Sequence, residues 1–201
     1  MAITAIAGWE CRPLGTTEGE VHVNARAVLS FWFDEVSDEQ RFAKSSSLDR
    51  AIATRFGALR EEVLGTDAAA WRGASDTLLA AIILVDQFSR NIFRGEAEAF
   101  AGDALAQELS IFAIERGWDE AMTSEQREFL YMPLMHAEDR ERQTLCLAKF
   151  TELGDPKPLD FARQHAEVIA RFGRFPSRNV ALGRESTPQE RDYLGRPDAG
   201  W

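Results

Sequence analysis

Asp86, His136 and His165 are the residues of this sequence best suited to proton transfer. Asp86 follows Ile82 and Ile83 on one face of an apolar helical stretch, so its carboxylate is expected to be at least partly buried. Both histidines also lie on apolar segments, which predicts rings that point inward. A carboxylate beside an inward histidine suits general acid–base chemistry or a metal site. The alternative is a structural ion pair at Asp86 and two satisfied core histidines.

A short phrase, Ser-Arg-Asn, occurs at residues 89–91 and again at residues 177–179, each time after an apolar helical run. Arg guanidinium groups present planar forks of donors that suit carboxylates and phosphates. The repetition therefore indicates a built polar site, two equivalent structural corners, or chance. The candidate ligand-binding residues in and near the two copies are Arg90, Asn91, Arg94, Arg174, Arg178 and Asn179.

The segment from residue 171 to residue 184 contains four Arg and no acidic residue. These cations have two possible partners. One is an anionic small molecule, and the other is the set of acids of the chain itself, notably Asp86, Glu138 and Asp139. A buried Asp86 in particular requires a cation, and Arg90 lies one helical turn away. Glu138 and Asp139 therefore join the candidate site residues.

Sequence motifs of the common cofactor and metal sites are absent from the chain. There is no glycine-rich dinucleotide or phosphate loop, no His-Glu-x-x-His motif and no calcium loop. Ser89 and Ser177 lack the Gly-x-Ser-x-Gly context of a nucleophile elbow. We therefore expect no cofactor and no resident metal.

Composition excludes some classes of partner. The chain has 201 residues and a formal net charge of −10, which argues against binding nucleic acid or an anionic membrane. Cys11 and Cys146 are far apart and form no disulfide framework. No signal peptide and no membrane-spanning stretch is evident, so a cytoplasmic location is expected. The expected partner is a small anionic molecule or a protein or peptide, and the oligomeric state stays open.

Hydrophobic periodicity is helical nearly throughout, with no convincing strand. We predict an irregular arm over residues 1–22 and a single all-α domain over residues 23–201. About eight helices in antiparallel hairpins are expected, an arrangement that suits an antiparallel helical stack or solenoid. The expected starts include Asn24, Ser46 or Ser47, Ser75, Gly102, Thr123, Asp139, Leu159 and Thr187, and Pro133 is expected to kink or break its helix.

Four phrases in this order resemble the bacterial domain-of-unknown-function 924 family, over about residues 25–195. The resemblance implies a tetratricopeptide-like fold, in which the helical hairpins form a right-handed stack. It supplies no activity, because the function of that family is itself unassigned. The phrases are residues 28–33, 86–95, 129–139 and 171–179.

Three functions are consistent with these residues. The first is a binding module that holds a small anionic ligand or an acidic peptide through the Arg and Asn side chains. The second is a hydrolase or lyase that acts on an anionic metabolite, with His136, Asp86 or His165 moving protons. The third is a scaffold that acts by its outer surface. The first two require His136 and the Arg cluster to meet at one solvent-open cavity.

Overall fold

The computed structural model of the chain describes residues 17–196, and within this range it contains helices and turns but no strand. The predicted all-α class is therefore confirmed, whereas the tetratricopeptide-like stack stays a prediction. The helices are α1 (Glu18–Ser30), α2 (Asp38–Phe42), α3 (Ser46–Gly65), α4 (Ser75–Ile82), α5 (Ser89–Ile92), α6 (Asp103–Glu115), α7 (Ser124–Met135), α8 (Arg140–Leu153), α9 (Pro156–Phe172) and α10 (Pro188–Leu194).

Helix α1 begins earlier than predicted. Thr17 caps it by accepting a hydrogen bond from the Glu20 backbone N–H, while the Glu20 side chain accepts from the Thr17 backbone N–H. The predicted start at Asn24 is wrong, because the reciprocal cap at Thr17, seven residues upstream, satisfies the first free N–H groups of the helix. Residues 18–22 of the predicted arm are thus helical, and residues 1–16 lie outside the described range.

Two π-helical segments continue α1 and α4 without a break, at Phe31–Glu35 and Ile83–Phe88. A π turn inserts an extra residue into a helix and is often found where function requires a displaced side chain. The second segment carries Asp86 and leads directly into α5. The first copy of the Ser-Arg-Asn phrase is therefore part of one long, continuous helical run.

The core surrounds α4 and its π segment. Every residue from Leu78 to Asp86 is buried, as the uniformly apolar pattern of this stretch predicts. Trp32 is fully buried and makes edge contacts with Phe88 at 5.4 Å and Phe129 at 5.5 Å, so its ring is part of the core.

Gly102 brings the start of α6 against this central helix. An added Cβ at Gly102 would lie 2.4 Å from the Val85 carbonyl oxygen, a distance that no side chain tolerates. The absence of a side chain therefore lets the backbone of α6 lie against the π segment. Because Asp103 follows Gly102, the same contact sets the position of the Asp103 carboxylate.

Helices α7, α8 and α9 pack side by side along the chain. The predicted break at Pro133 does not occur, since α7 continues to Met135. Pro133 lies in the last turn, where the missing N–H costs a single hydrogen bond. The next two helices begin after Asp139 and Asp155, whose side chains each accept a backbone N–H.

No helix among residues 17–196 is long and apolar enough to cross a lipid bilayer.

Candidate functional site

Arg90 and Arg178, one from each copy of the repeated phrase, meet at Asp103. Arg90 Nη2 lies 2.9 Å from Asp103 Oδ1, and Arg178 Nη1 donates to Asp103 Oδ2 at 2.8 Å. Arg178 Nη2 also donates to the backbone carbonyl of His136 at 2.8 Å. A single carboxylate therefore holds the two guanidinium groups beside the His136 segment.

Asp86 lies behind these arginines, fully buried as expected. Its Oδ1 lies 2.8 Å from Arg90 Nη1 and 2.8 Å from His136 Nδ1, and its Oδ2 accepts from the Gln87 amide. Burial opposes ionisation of Asp86, but Arg90 and His136 outweigh it and hold the pKa of this carboxyl well below its usual range. Asp86 is therefore an ionised carboxylate with a partner on each oxygen.

His136 is fixed in one tautomer by Asp86. Burial, and then the charge of Arg90, lower the pKa of His136, so the ring is neutral near pH 7. A neutral ring next to a carboxylate carries its proton on Nδ1, which donates to Asp86 Oδ1. Nε2 is then a lone-pair acceptor, and no group in residues 17–196 donates a hydrogen bond to it. The geometry is that of an oriented general base.

His165 lies beside His136, with 6.3 Å between the ring centroids. Its Nδ1 lies 2.8 Å from the Phe161 carbonyl oxygen, and its ring makes an edge contact with Phe175 at 5.5 Å. Burial, followed by the proximity of His136, lowers the pKa of His165 to about 3. The two predicted inward histidines are thus brought together as a neutral pair.

A cavity of about 390 Å³ opens in front of these residues. Asp86 and Asp103, the carboxylates that neutralise the arginines, do not line it. Arg178 is held between the Phe100 and Phe175 rings, with its guanidinium carbon 4.7 Å from each centroid. The lining residues are Lys44, Arg90, Arg94, Gly95, Ala99, Phe100, His136, His165, Phe175, Ser177, Arg178 and Ala181.

The asparagines of the repeated phrase bind the protein itself. Asn91 donates to Asp49 Oδ1 at 2.8 Å, and the same carboxylate accepts two bonds from Arg94. Buried Asn179 donates to Ser186 Oγ at 3.0 Å. Of these candidates only Arg94 reaches the cavity, at its mouth, where its side chain is 40% exposed.

The remaining candidates also lie outside the cavity lining. Arg174 pairs with Glu190 through two hydrogen bonds, at 2.7 and 2.8 Å. Glu138 accepts from Arg184 and from the Phe175 backbone N–H, which positions the Arg-rich segment of residues 171–184. Asp139 caps α8. The interpretation that the Arg-rich segment pairs with acids of the chain is therefore confirmed for Arg174, Arg178 and Arg184, although Glu190 and Asp103 were not among the expected acids.

Sequence reasoning missed several residues of this site, among them Asp103, Lys44 and Phe100. Lys44 is an exposed side chain in the turn before α3, and Phe100 ends a short 3-10 turn before α6. No local sequence pattern marks Lys44 or Phe100 as a site residue. The pair Gly102-Asp103 carries one, because a glycine before an acidic first residue marks a helix start that approaches another backbone closely.

A second cavity of about 560 Å³ lies between α2, α7 and α9. The described residues that line it include four carboxylates and two cations but no histidine. Arg41, one of these two cations, forms ion pairs with Glu125 and Asp38. The smaller cavity is therefore the one at which the chemistry of the sequence candidates converges. Within residues 17–196 no three His, Cys, Asp or Glu side chains are grouped to hold a metal ion.

Lowering the pH from 7.5 to 5.5 is expected to reduce the free energy of unfolding by about 1 kcal/mol or more through His165. The unfolded chain takes up a proton near pH 6.5, whereas folded His165, with its pKa lowered to about 3 by burial, stays neutral. This stabilisation is complete above pH 6.5 and is lost as the pH falls below it. Urea unfolding at both pH values measures the loss, which should be smaller by about this amount in His165→Phe; an equal loss in that variant contradicts the prediction.

These features define an all-helical protein with an arginine- and histidine-lined cavity beside a buried central helix. The chain belongs to the family described as bacterial protein of unknown function (DUF924), whose model matches residues 28–198. A solved protein of unknown function from Agrobacterium tumefaciens is 34% identical in sequence, with a TM-score of 0.82 over 87% of this chain and 98% of that one. No curated protein matches the chain.

Proposed function

We propose that the protein binds a small anionic molecule in the cavity between α5, α7 and the Arg-rich segment of residues 171–184. One observation carries the proposal: Lys44, Arg90, Arg94 and Arg178 line the same cavity, and none of the residues among 17–196 that line it carries a carboxylate. The acids that compensate these arginines lie behind or beside them. An anion that enters the cavity therefore meets donors first.

Some N–H groups of the cavity arginines are not used in hydrogen bonds to the described residues of the protein itself. Arg94 uses Nε and one Nη for Asp49, which leaves the other Nη, and Arg178 uses its two Nη groups, which leaves Nε. Exposed Lys44 adds three donors and Ser177 adds a hydroxyl. These groups match the oxygens of one carboxylate or phosphate. The volume is at the low end for small-molecule sites, which favours a metabolite-sized ligand over a peptide.

The proposal predicts that Arg178→Gln weakens anion binding at least tenfold. Calorimetric titration with a panel of small carboxylates and phosphate monoesters, in about 50 mM salt, gives the affinity of the wild type and the variant. Arg163→Gln removes the same charge from the exposed face of α9 and is the matched control. Because Arg178 also bonds Asp103 and His136, Lys44→Gln is the second variant, with no buried contact to lose.

Equal weakening by Arg163→Gln would mean that the anions follow the overall charge of the protein and not this cavity. No binding of any panel member at millimolar concentration would contradict the proposal. Action by the outer surface, as a scaffold, would then be the function to pursue.

The second candidate is an enzyme that transfers a proton through His136. It is favoured by the hydrogen bond from Nδ1 to Asp86, which orients a neutral ring with Nε2 as the acceptor. Incubation of each bound ligand with the protein in deuterated water, followed by proton NMR, tests it. Hydrogen exchange or product formation that is lost in His136→Phe supports an enzyme. Unchanged ligand spectra over a day leave binding alone.

A further inference from the structure

The proposed function concerns an anion, and the orientation of His136 says more about that anion. Nδ1 of His136 is committed to Asp86 Oδ1 at 2.8 Å, on the buried side of the ring. The side chain is 14% exposed and lines the cavity, so the opposite ring nitrogen, Nε2, is the one available to a ligand. The cavity therefore pairs an acceptor at its wall with donors around it.

An acceptor at a ligand site selects a ligand that donates a hydrogen bond there. A ligand that covers Nε2 without donating a hydrogen bond to it excludes water from this nitrogen and leaves it unpaired. The anionic oxygens of a carboxylate or phosphate cannot donate. A second group of the same molecule must do so.

The charges that surround His136 restrict the nature of this donor. Arg90 and Arg178 lie beside the ring, Asp86 and Asp103 are occupied by these arginines, and His165 is a neutral neighbour. Lys44 and Arg94 are at the cavity mouth. An ammonium group would be repelled by these cations, whereas a hydroxyl group donates the same bond without charge.

We infer that the ligand of this cavity is a small hydroxylated anion, a hydroxycarboxylate or the phosphate ester of a polyol, whose hydroxyl donates to His136 Nε2. This inference rests on the proposed function and adds the second recognition group. Its anionic group lies toward Lys44, Arg94 and Arg178, and its hydroxyl lies against the wall formed by His136.

Matched pairs of probes test the inference. 3-Hydroxybutyrate is compared with butyrate, and glycerol 3-phosphate with propyl phosphate, by calorimetric titration of the wild type. We expect the hydroxylated member of at least one pair to bind at least tenfold more tightly, and the pair that shows this identifies a carboxylate or a phosphate ligand. The ammonium analogues, 3-aminobutyrate and ethanolamine phosphate, should bind more weakly than their hydroxyl counterparts.

The His136→Phe variant should abolish the hydroxyl preference and retain binding of the deoxy anions, because Arg178 and Lys44 remain. Since this substitution leaves Asp86 with one partner fewer, ¹⁵N NMR of the wild-type imidazole provides a measurement without a variant. The Nε2 resonance should lie further upfield with the hydroxylated probe than with its deoxy partner, because a hydrogen bond to the lone pair shields the nitrogen. A protonated Nε2 in the free protein would overturn the inference.

Two further outcomes separate the inference from the proposed function. If the deoxy or ammonium member of each pair binds as tightly as the hydroxylated one, the inference is overturned and anion binding stands. If no probe of either pair binds to the wild type at millimolar concentration, anion binding itself fails, and the inference falls with it.

Discussion

The Asp86→Ala variant is expected to unfold with a free energy about 2–4 kcal/mol lower than that of the wild type. Asp86 is fully buried and is the shared partner of Arg90 and His136. Its removal leaves a guanidinium group in a water-poor site with one carboxylate fewer, and it frees the His136 ring to rotate. Urea unfolding at pH 7.5, followed by circular dichroism, measures the change.

Asp34→Ala is the matched control, because Asp34 lies in the other π-helical segment but is exposed. A surface change of this kind is expected to alter stability by less than about 0.5 kcal/mol. A loss below about 1 kcal/mol for Asp86→Ala would show that the variant hydrates the site or that Arg90 turns toward water. In either case the Asp86 carboxylate would contribute little to stability, and its role would lie in ligand binding.

The Asp86–Arg90 pair is the part of the site that the sequence made predictable. An acid within a helix that is apolar on all sides is buried when that helix packs in the core. A cation one helical turn later is within reach of it. Both facts are local, because they depend on helical spacing alone. The central buried helix is predictable for the same reason, since its apolar residues surround the whole helical axis.

The Asp103–Arg178 pair could not be predicted, because its two residues are distant in the chain and no local rule relates them. Their meeting depends on where α6 and the turn after α9 are docked. The two asparagines show the same limit. Asn91 and Asn179 have identical neighbours in the phrase, yet one binds Asp49 and the other binds Ser186. Residue type states what a side chain can bind, and tertiary packing decides which partner it finds.

Two helix starts were predictable and were nevertheless placed too late. Thr17 and Glu20 form a capping box, and Asp155 followed by Pro156 is a cap with proline at the first helical position. The glycines near Thr17 and the two prolines near Asp155 favoured an irregular arm and a turn. In both places the cap determines where the helix begins, because its side chain satisfies the first free backbone N–H groups of the helix.

Gly102→Ala is expected to lower the free energy of unfolding by about 1–3 kcal/mol and to weaken anion binding as well. The new methyl group would meet the Val85 carbonyl oxygen at 2.4 Å and the Val85 Cβ at 2.9 Å, so backbone has to move. The start of α6 then shifts away from the central helix and carries Asp103 with it. Because Asp103 holds both Arg90 and Arg178, the shift loosens the cationic wall of the cavity.

Measuring both the free energy of unfolding and the anion affinity distinguishes a displaced Asp103 from simple overpacking at Gly102. Gly57→Ala is the control, since nothing lies within 4 Å of its added Cβ in the interior of α3, and this variant should be up to about 1 kcal/mol more stable with unchanged binding. A Gly102→Ala protein that loses stability but binds anions as tightly as the wild type would show that Asp103 follows the arginines and not the α6 backbone. Loss of both together would make the Gly102 contact the point at which the fold determines the geometry of the site.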